Sequence, residues 1–312
     1  MWGVASQSVI FFHSCAISPV LQTFVISSIG LPLAWNSGVD FFFVLSGFLL
    51  SVPFMQLGKL SLKQYYLKRA LRIFPGNYTS FLFIILFLSH NTSLDTITSA
   101  LFTQNFFHSA FTSINGVYWT LAIEEIFYAM LPLFALLFVR HRWVYSLPGC
   151  IIVSTVYREI IFLIYRNNLN FLNFLNFYLW QYPSYIEHYA IGATLAALIV
   201  GRKFLPRKTN SFFLKGTIGA LIFTEYYLGV SYASNLYDYP TSNLALALEY
   251  AALSYFTIAL PITSRARVLF TNKITSIMGK LSYSTYVWHL PILVTLYSFH
   301  MPLVEWMFFP IY

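Results

Sequence analysis

The chain is 312 residues long, 58% hydrophobic and only 9% charged, with a mean hydropathy of +0.67, whereas soluble domains carry about 25% charged residues. So much apolar surface exceeds what a soluble core of this size can hide, and many separated apolar runs of about 20 residues specify a multi-pass helical bundle, not a β-barrel. The formal charge of +8 does not indicate nucleic acid, because the basic residues sit in short links between apolar runs, where membrane topology accounts for them.

Nine spans are legible. The first runs from Trp2 to Ile29 and contains His13, and the second covers Gly38 to Leu57. A basic link with Lys59, Lys63, Lys68, Arg69 and Arg72 leads to the third, Ile73 to Leu88. A polar connection from Ser89 to Gly116, free of Lys and Arg, precedes the fourth, Val117 to Val139. The fifth is Trp143 to Ile164, and an Asn-rich link at 167–176 leads to the sixth, Phe177 to Val200. The seventh (212–230), the eighth (242–261) and the ninth, Leu281 to Phe299, complete the set; the closing residues 301–312 are apolar but too short to span.

With the N-terminus in the cytoplasm, all but Arg158 and Arg166 of the 18 Lys and Arg fall in or beside loops on the cytoplasmic side. An asymmetry of that size fixes orientation by the positive-inside rule. There is no internal repeat and no hydrophilic stretch long enough for a soluble domain, so residues 1–312 read as one membrane domain. Cys15 and Cys150 lie in apolar runs and read as small buried hydrophobes, not as a disulfide or a metal site.

Polar residues inside the spans are the candidates for chemistry. Asp40 heads the second span, where a carboxylate in hydrocarbon costs roughly 2.5 kcal/mol or more, so it marks either a functional site or a hydrated interface. His13, Glu124 and Glu125, Glu187 and His188, Glu225, Glu249 and His289 are spread over other spans. Several such groups in one bundle indicate a polar cavity, which suits an enzyme or a transporter. Glu124 and Glu125 point about 100° apart on a helix, so at most one faces a given cavity; Glu124 shares a face with Tyr128, Glu125 with Tyr118. Arg69 and Arg72 lie three apart, on one face if helical. They suit either a topological anchor or forked hydrogen bonds to phosphate.

Four blocks in order carry a resemblance to a known family: SVIFFH (Ser8 to His13), GVDFFFVLSGFL (Gly38 to Leu49), YLKRALRIFP (Tyr66 to Pro75) and WTLAIEEIFY (Trp119 to Tyr128), with weaker echoes at Tyr182 to Ala196 and Leu281 to Leu293. Together they resemble the acyltransferase 3 family of membrane-bound O-acyltransferases. The resemblance implies an all-α polytopic bundle of about ten helices in a bacterial inner or plasma membrane. It implies transfer of an acyl group, most commonly acetyl, from cytoplasmic acyl-coenzyme A to a hydroxyl of a surface carbohydrate or glycolipid, with no metal.

Under that resemblance His13 is the base for the acceptor hydroxyl, a task that suits an imidazole with an ordinary pKa of about 6.5. Glu124 and Glu125 are the accompanying catalytic carboxylates, and Arg69 and Arg72 hold the coenzyme A phosphates. Asp40, Ser46, Trp119 and Tyr128 line or support the cavity. His289 is a second catalytic or orienting group, or a structural hydrogen bond. Gly47 permits close helix approach.

One departure stands out. The family's usual arginine, eleven residues before the histidine and hence roughly 16 Å along the helix, is Trp2 in this chain. The expectations are a domain cut short at both ends or a degenerate member without full activity. The rival from another class, a flippase or transporter of a glycan or lipid intermediate, calls for inverted repeats that the sequence does not show.

Overall fold

The computed structural model describes residues 2–18, 38–56, 61–88, 92–139, 142–165, 177–201 and 272–298. Spans seven and eight, with Glu225 and Glu249, lie outside the described residues. So do the Asn-rich link, the first span beyond Ser18, the basic residues of 202–215 and of 265–267, and the closing segment 301–312.

The described residues form α-helices and one short 3-10 turn, with no strand among them. In chain order the helices are α1 (Trp2–Ile17), α2 (Gly38–Gln56), α3 (Leu62–Phe87), α4 (Ser93–Ala100), α5 (Tyr118–Leu136), α6 (Trp143–Tyr165), α7 (Tyr182–Val200) and α8 (Lys273–Ser298), with the 3-10 turn at Gln104–Phe106 between α4 and α5. Four of them, α2, α3, α5 and α6, are long and apolar enough to cross a membrane, and α1 contributes a shorter apolar stretch, Ala5–Ile17. This is a helical membrane protein.

Two helices begin earlier than hydropathy alone predicts. From Leu62 onward the basic link before the third span is the first half of α3, opened by Ser61, whose side chain accepts from the Gln64 backbone N–H. In the same way α8 starts at Lys273, not Leu281, behind Asn272, whose Oδ1 accepts from the Thr275 N–H at 2.9 Å. Lys and Arg are unfavourable in hydrocarbon but are good helix formers, so a basic run ends a span without ending a helix. The polar connection also carries structure: Thr92 and Asp95 form a reciprocal capping box that opens α4.

The core gathers around α5, whose Phe127, Leu131 and Phe134 are buried, and around the α2–α7 contact. That contact is close because both helices present glycine. A Cβ on Gly47 would strike the Tyr189 backbone, and one on Gly192 would strike the Val44 carbonyl. The Phe127 and Tyr189 rings stack with centroids 3.8 Å apart.

Proline in the middle of α5 and α8 sets two further ties. Proline lacks the N–H that would bond the carbonyl four residues back. Pro132 thus frees the Tyr128 carbonyl, which accepts from Tyr65 Oη of α3 at 3.2 Å. Pro291 frees the Val287 carbonyl, which accepts from Asn115 Nδ2 at 3.1 Å.

Candidate active site

A cavity of about 490 Å³, its open mouth included, lies between α1, α2, α3, α5 and α8. Trp2 and Arg72 line it together with Phe42, Glu124, Tyr128, Tyr283 and Tyr286. The Arg72 guanidinium sits 5.2 Å from the centre of the Trp2 ring, and Arg69 sits 6.0 Å from that of Tyr128. Arg69 Nε is buried and has no hydrogen-bond partner. An unpaired guanidinium N–H is a ready donor to an anion, and Arg69 lies beside the cavity-lining Tyr128 without lining the cavity itself.

Glu124 is the carboxylate that faces this space. One of its oxygens accepts from Ser46 Oγ at 2.8 Å and also from the Tyr128 hydroxyl. Helical spacing puts Tyr128 one turn beyond Glu124, and the packing of α2 against α5 brings Ser46 within reach. Glu125, one residue on, does not line the cavity. The sequence left these two carboxylates undecided, and the geometry separates them.

One turn along α8 from Tyr286 stands His289, and against it His13 of α1. His289 Nε2 and His13 Nδ1 are 3.1 Å apart, with ring centroids 5.0 Å apart. His13 Nδ1 also lies 3.0 Å from the Val9 carbonyl, and His289 Nδ1 lies 2.5 Å from the Tyr286 carbonyl. The remaining ring nitrogen, His13 Nε2, makes no hydrogen bond among the described residues. Tyr286 joins this pair to the cavity: its ring lines the cavity, while its hydroxyl shares a 2.7 Å hydrogen bond with Thr120 Oγ1.

These helices fall into a known pattern, since the family described as an acyltransferase domain matches residues 3–312. The chain belongs to the acyltransferase 3 family. It is 27% identical over 289 residues to the peptidoglycan O-acetyltransferase OatA of Listeria monocytogenes; the match takes in 82% of this chain and 44% of the Listeria protein, so the chain spans less than half of that relative's length. It is also 27% identical over 295 residues to ORF330 of Acidianus two-tailed virus, provisionally named an acetyltransferase, with 92% of this chain and 80% of the viral protein matched. No solved structure matches. The chain is thus a helical membrane protein of an acyltransferase family.

The structure sets Glu124, Tyr128 and Arg72 on the cavity wall; Ser46 is tied to that wall through Glu124, Arg69 lies beside Tyr128 without lining the cavity, and His13 and His289 meet one turn of α8 beyond Tyr286. It places three other candidates elsewhere. Trp119 stacks on Trp180 with centroids 4.6 Å apart and does not line the cavity. Glu125 is off the cavity wall, as noted. Asp40 faces α7, where its Oδ1 lies 3.2 Å from His188 Nε2, so it supports the bundle from the far side of α2.

Next to that contact is a buried ion pair, Arg158 Nη2 to Glu187 Oε1 at 2.6 Å, with Arg158 Nη1 donating to the Ser184 carbonyl at 2.8 Å. Among the described residues no group of three or more His, Cys, Asp or Glu is placed to share a metal ion. Sequence reasoning overlooked Trp2 as a cavity wall, and Tyr286. The available signal for Tyr286 was its position one helical turn before His289.

Proposed function

We propose that this protein is a membrane O-acyltransferase that moves an acetyl group from acetyl-coenzyme A, entering from the cytoplasm, to a hydroxyl of a surface carbohydrate or glycolipid, with His13 as general base. The observation that supports the reading is an unengaged imidazole nitrogen, His13 Nε2, on a ring held against His289 one turn of α8 from the cavity-lining Tyr286, with Arg72 on the wall of the same cavity. The names of both relatives, the viral one provisional, point to acetyl transfer, and the name of the Listeria protein favours a glycan acceptor.

The residues divide the work by chemical type. Arg69 and Arg72 bind the phosphates of the donor at the mouth, where forked guanidinium donors match phosphate oxygens. The pantetheine arm lies along the cavity past Glu124 and Tyr286. The acceptor oxygen attacks the acyl carbon while its proton passes to His13 Nε2; the carbon–sulfur bond breaks, and the proton is delivered to the departing thiolate. Positioned general bases contribute about 10²- to 10⁴-fold to rate.

Trp2 is not by itself a reason to assign lost activity. Arg72 of α3 lies over its ring, so a cation stands on the cavity wall beside Trp2.

The test is transfer of labelled acetyl from acetyl-coenzyme A to glycan by membranes containing the chain, with a His13→Ala variant alongside. Label should reach base-labile ester on glycan with the unaltered chain and fall at least 100-fold with His13→Ala. Full transfer by His13→Ala would remove histidine from its assigned role. No transfer by any form, across donors and glycans, would sink the acyltransferase reading for this chain.

A further inference from the structure

The two-histidine contact fixes where the protons are. The Tyr286 carbonyl can only accept, so the facing His289 Nδ1 carries hydrogen. The Val9 carbonyl can only accept, so His13 Nδ1 carries hydrogen as well. Two N–H groups cannot face each other across 3.1 Å, so His289 Nε2 presents its lone pair to His13 Nδ1. In neutral His13 the proton is thereby confined to Nδ1, and Nε2 is bare. Val9 is the weaker of the two acceptors, because in α1 its carbonyl already takes the His13 backbone N–H.

We propose that His289 is the positioning residue of the reaction: anchored by the Tyr286 carbonyl, it accepts the His13 Nδ1 proton, holds Nε2 bare towards the substrate, and shares the charge once His13 has taken a proton. The proposal rests on His13 acting as the base. Among the described residues no carboxylate is bonded to His13. A carboxylate there would bury a net negative charge in the resting bundle, at the cost that intramembrane charges carry. An imidazole accepts the same hydrogen bond while the resting pair stays uncharged.

When the acceptor's proton arrives on His13 Nε2, the Nδ1–H to Nε2 bond becomes charge-assisted and strengthens. The extra charge then spreads over two rings, and the same proton leaves again from His13 Nε2 to the thiolate. No proton is lost or gained over the cycle. Support from His289 is therefore greatest when the barrier is being crossed, the condition for raising kcat and not merely binding.

The test compares His289→Leu, which removes the acceptor, with His289→Gln, whose side-chain carbonyl can stand where Nε2 stood. Each is assayed for acetyl transfer in membranes alongside His13→Ala, and ¹⁵N spectra are recorded of histidine-labelled protein in detergent. His289→Leu should lower kcat by tenfold or more, a part of what a general base supplies, with KM for acetyl-coenzyme A within twofold. His289→Gln should recover most of that loss.

The His13 signals should show a protonated Nδ1 and a bare Nε2 in the unaltered chain, and a mixture of tautomers in His289→Leu. Full kcat for His289→Leu with an inactive His13→Ala would overturn the positioning role and leave the base intact. An active His13→Ala would overturn both. Equal losses in the Leu and Gln variants, with the His13 tautomer unchanged, would reduce His289 to a packing residue and also overturn the proposal.

Discussion

Replacing Arg158 with methionine should be among the most destabilising single changes available in this bundle. Arg158 Nη2 lies 2.6 Å from Glu187 Oε1, and the Glu187 side chain is 2% exposed, so no water is positioned to replace the guanidinium. At an effective dielectric of about 20, unit charges about 4 Å apart attract by about 4 kcal/mol. Breaking one side of a buried pair typically costs about 3–5 kcal/mol, because the remaining charge is left uncompensated. One further effect pushes the same way: the Ser184 carbonyl loses its Nη1 donor.

The double variant Arg158→Met, Glu187→Leu removes both charges and fills the space with apolar atoms. Such exchanges are often neutral or stabilising, so the double should recover most of the loss. Unfolding in mixed micelles titrated with dodecyl sulfate, run as a double-mutant cycle, reads both numbers. A single variant that costs less than about 1 kcal/mol would refute the reasoning, as would a double variant no more stable than the single.

Gly192→Ala should part α2 from α7, because the added methyl meets the Val44 carbonyl and lies 2.6 Å from Phe48 N, backbone atoms that cannot step aside; overpacking of this kind costs about 1–3 kcal/mol. Gly149→Ala is the control: nothing lies within 4 Å of a Cβ there, and stability should hold or rise in the same unfolding assay. Arg69→Gln should raise KM for acetyl-coenzyme A by about tenfold or more, the worth of a charged hydrogen bond, while leaving transfer from the phosphate-free donor S-acetylpantetheine unchanged; an equal effect on both donors would remove Arg69 from the phosphates. Glu124→Gln keeps an acceptor for Ser46 and Tyr128 and should unfold within about 1 kcal/mol of the unaltered chain, whereas Glu124→Ala strands both hydroxyls and should lose about 2 kcal/mol or more. Indistinguishable Gln and Ala variants would mean that those hydrogen bonds carry no net stability.

Apolar runs made the helical membrane class readable, and ordered blocks around His13, Gly38, Arg69 and Trp119 made the family readable. What the sequence withheld was which way each helix faces. In a soluble bundle, polarity marks the outer face of every helix. In a membrane both faces are apolar, and α2 in particular offers no stripe that would send Asp40 towards His188 and Ser46 towards Glu124. The His13–His289 pair joins residues 276 apart in the chain, so only tertiary packing could reveal it. Helix ends misread by hydropathy were misread for the opposite reason: Ser61, Asn272 and the Thr92–Asp95 capping box are local signals that hydrophobicity does not weigh.

The prolines explain how a site drawn from several apolar helices keeps one register. Packing between apolar helices in lipid has little hydrophobic driving force of its own, so directed hydrogen bonds take on more of the task of alignment. A proline inside a helix creates a demand for such a bond at one defined carbonyl. In this chain both demands described above fall next to residues of the site. The carbonyl freed by Pro132 belongs to Tyr128, whose hydroxyl holds Glu124, and its donor is Tyr65, one turn of α3 before Arg69. The carbonyl freed by Pro291 belongs to Val287, within a turn of His289, and its donor is Asn115, just ahead of α5. Sliding α3 along α5, or α5 along α8, by even one residue would leave a carbonyl unpaired away from water, at about 1–3 kcal/mol each. The arginines, the carboxylate and the two histidines are thus held in register by the same interruptions that weaken their own helices.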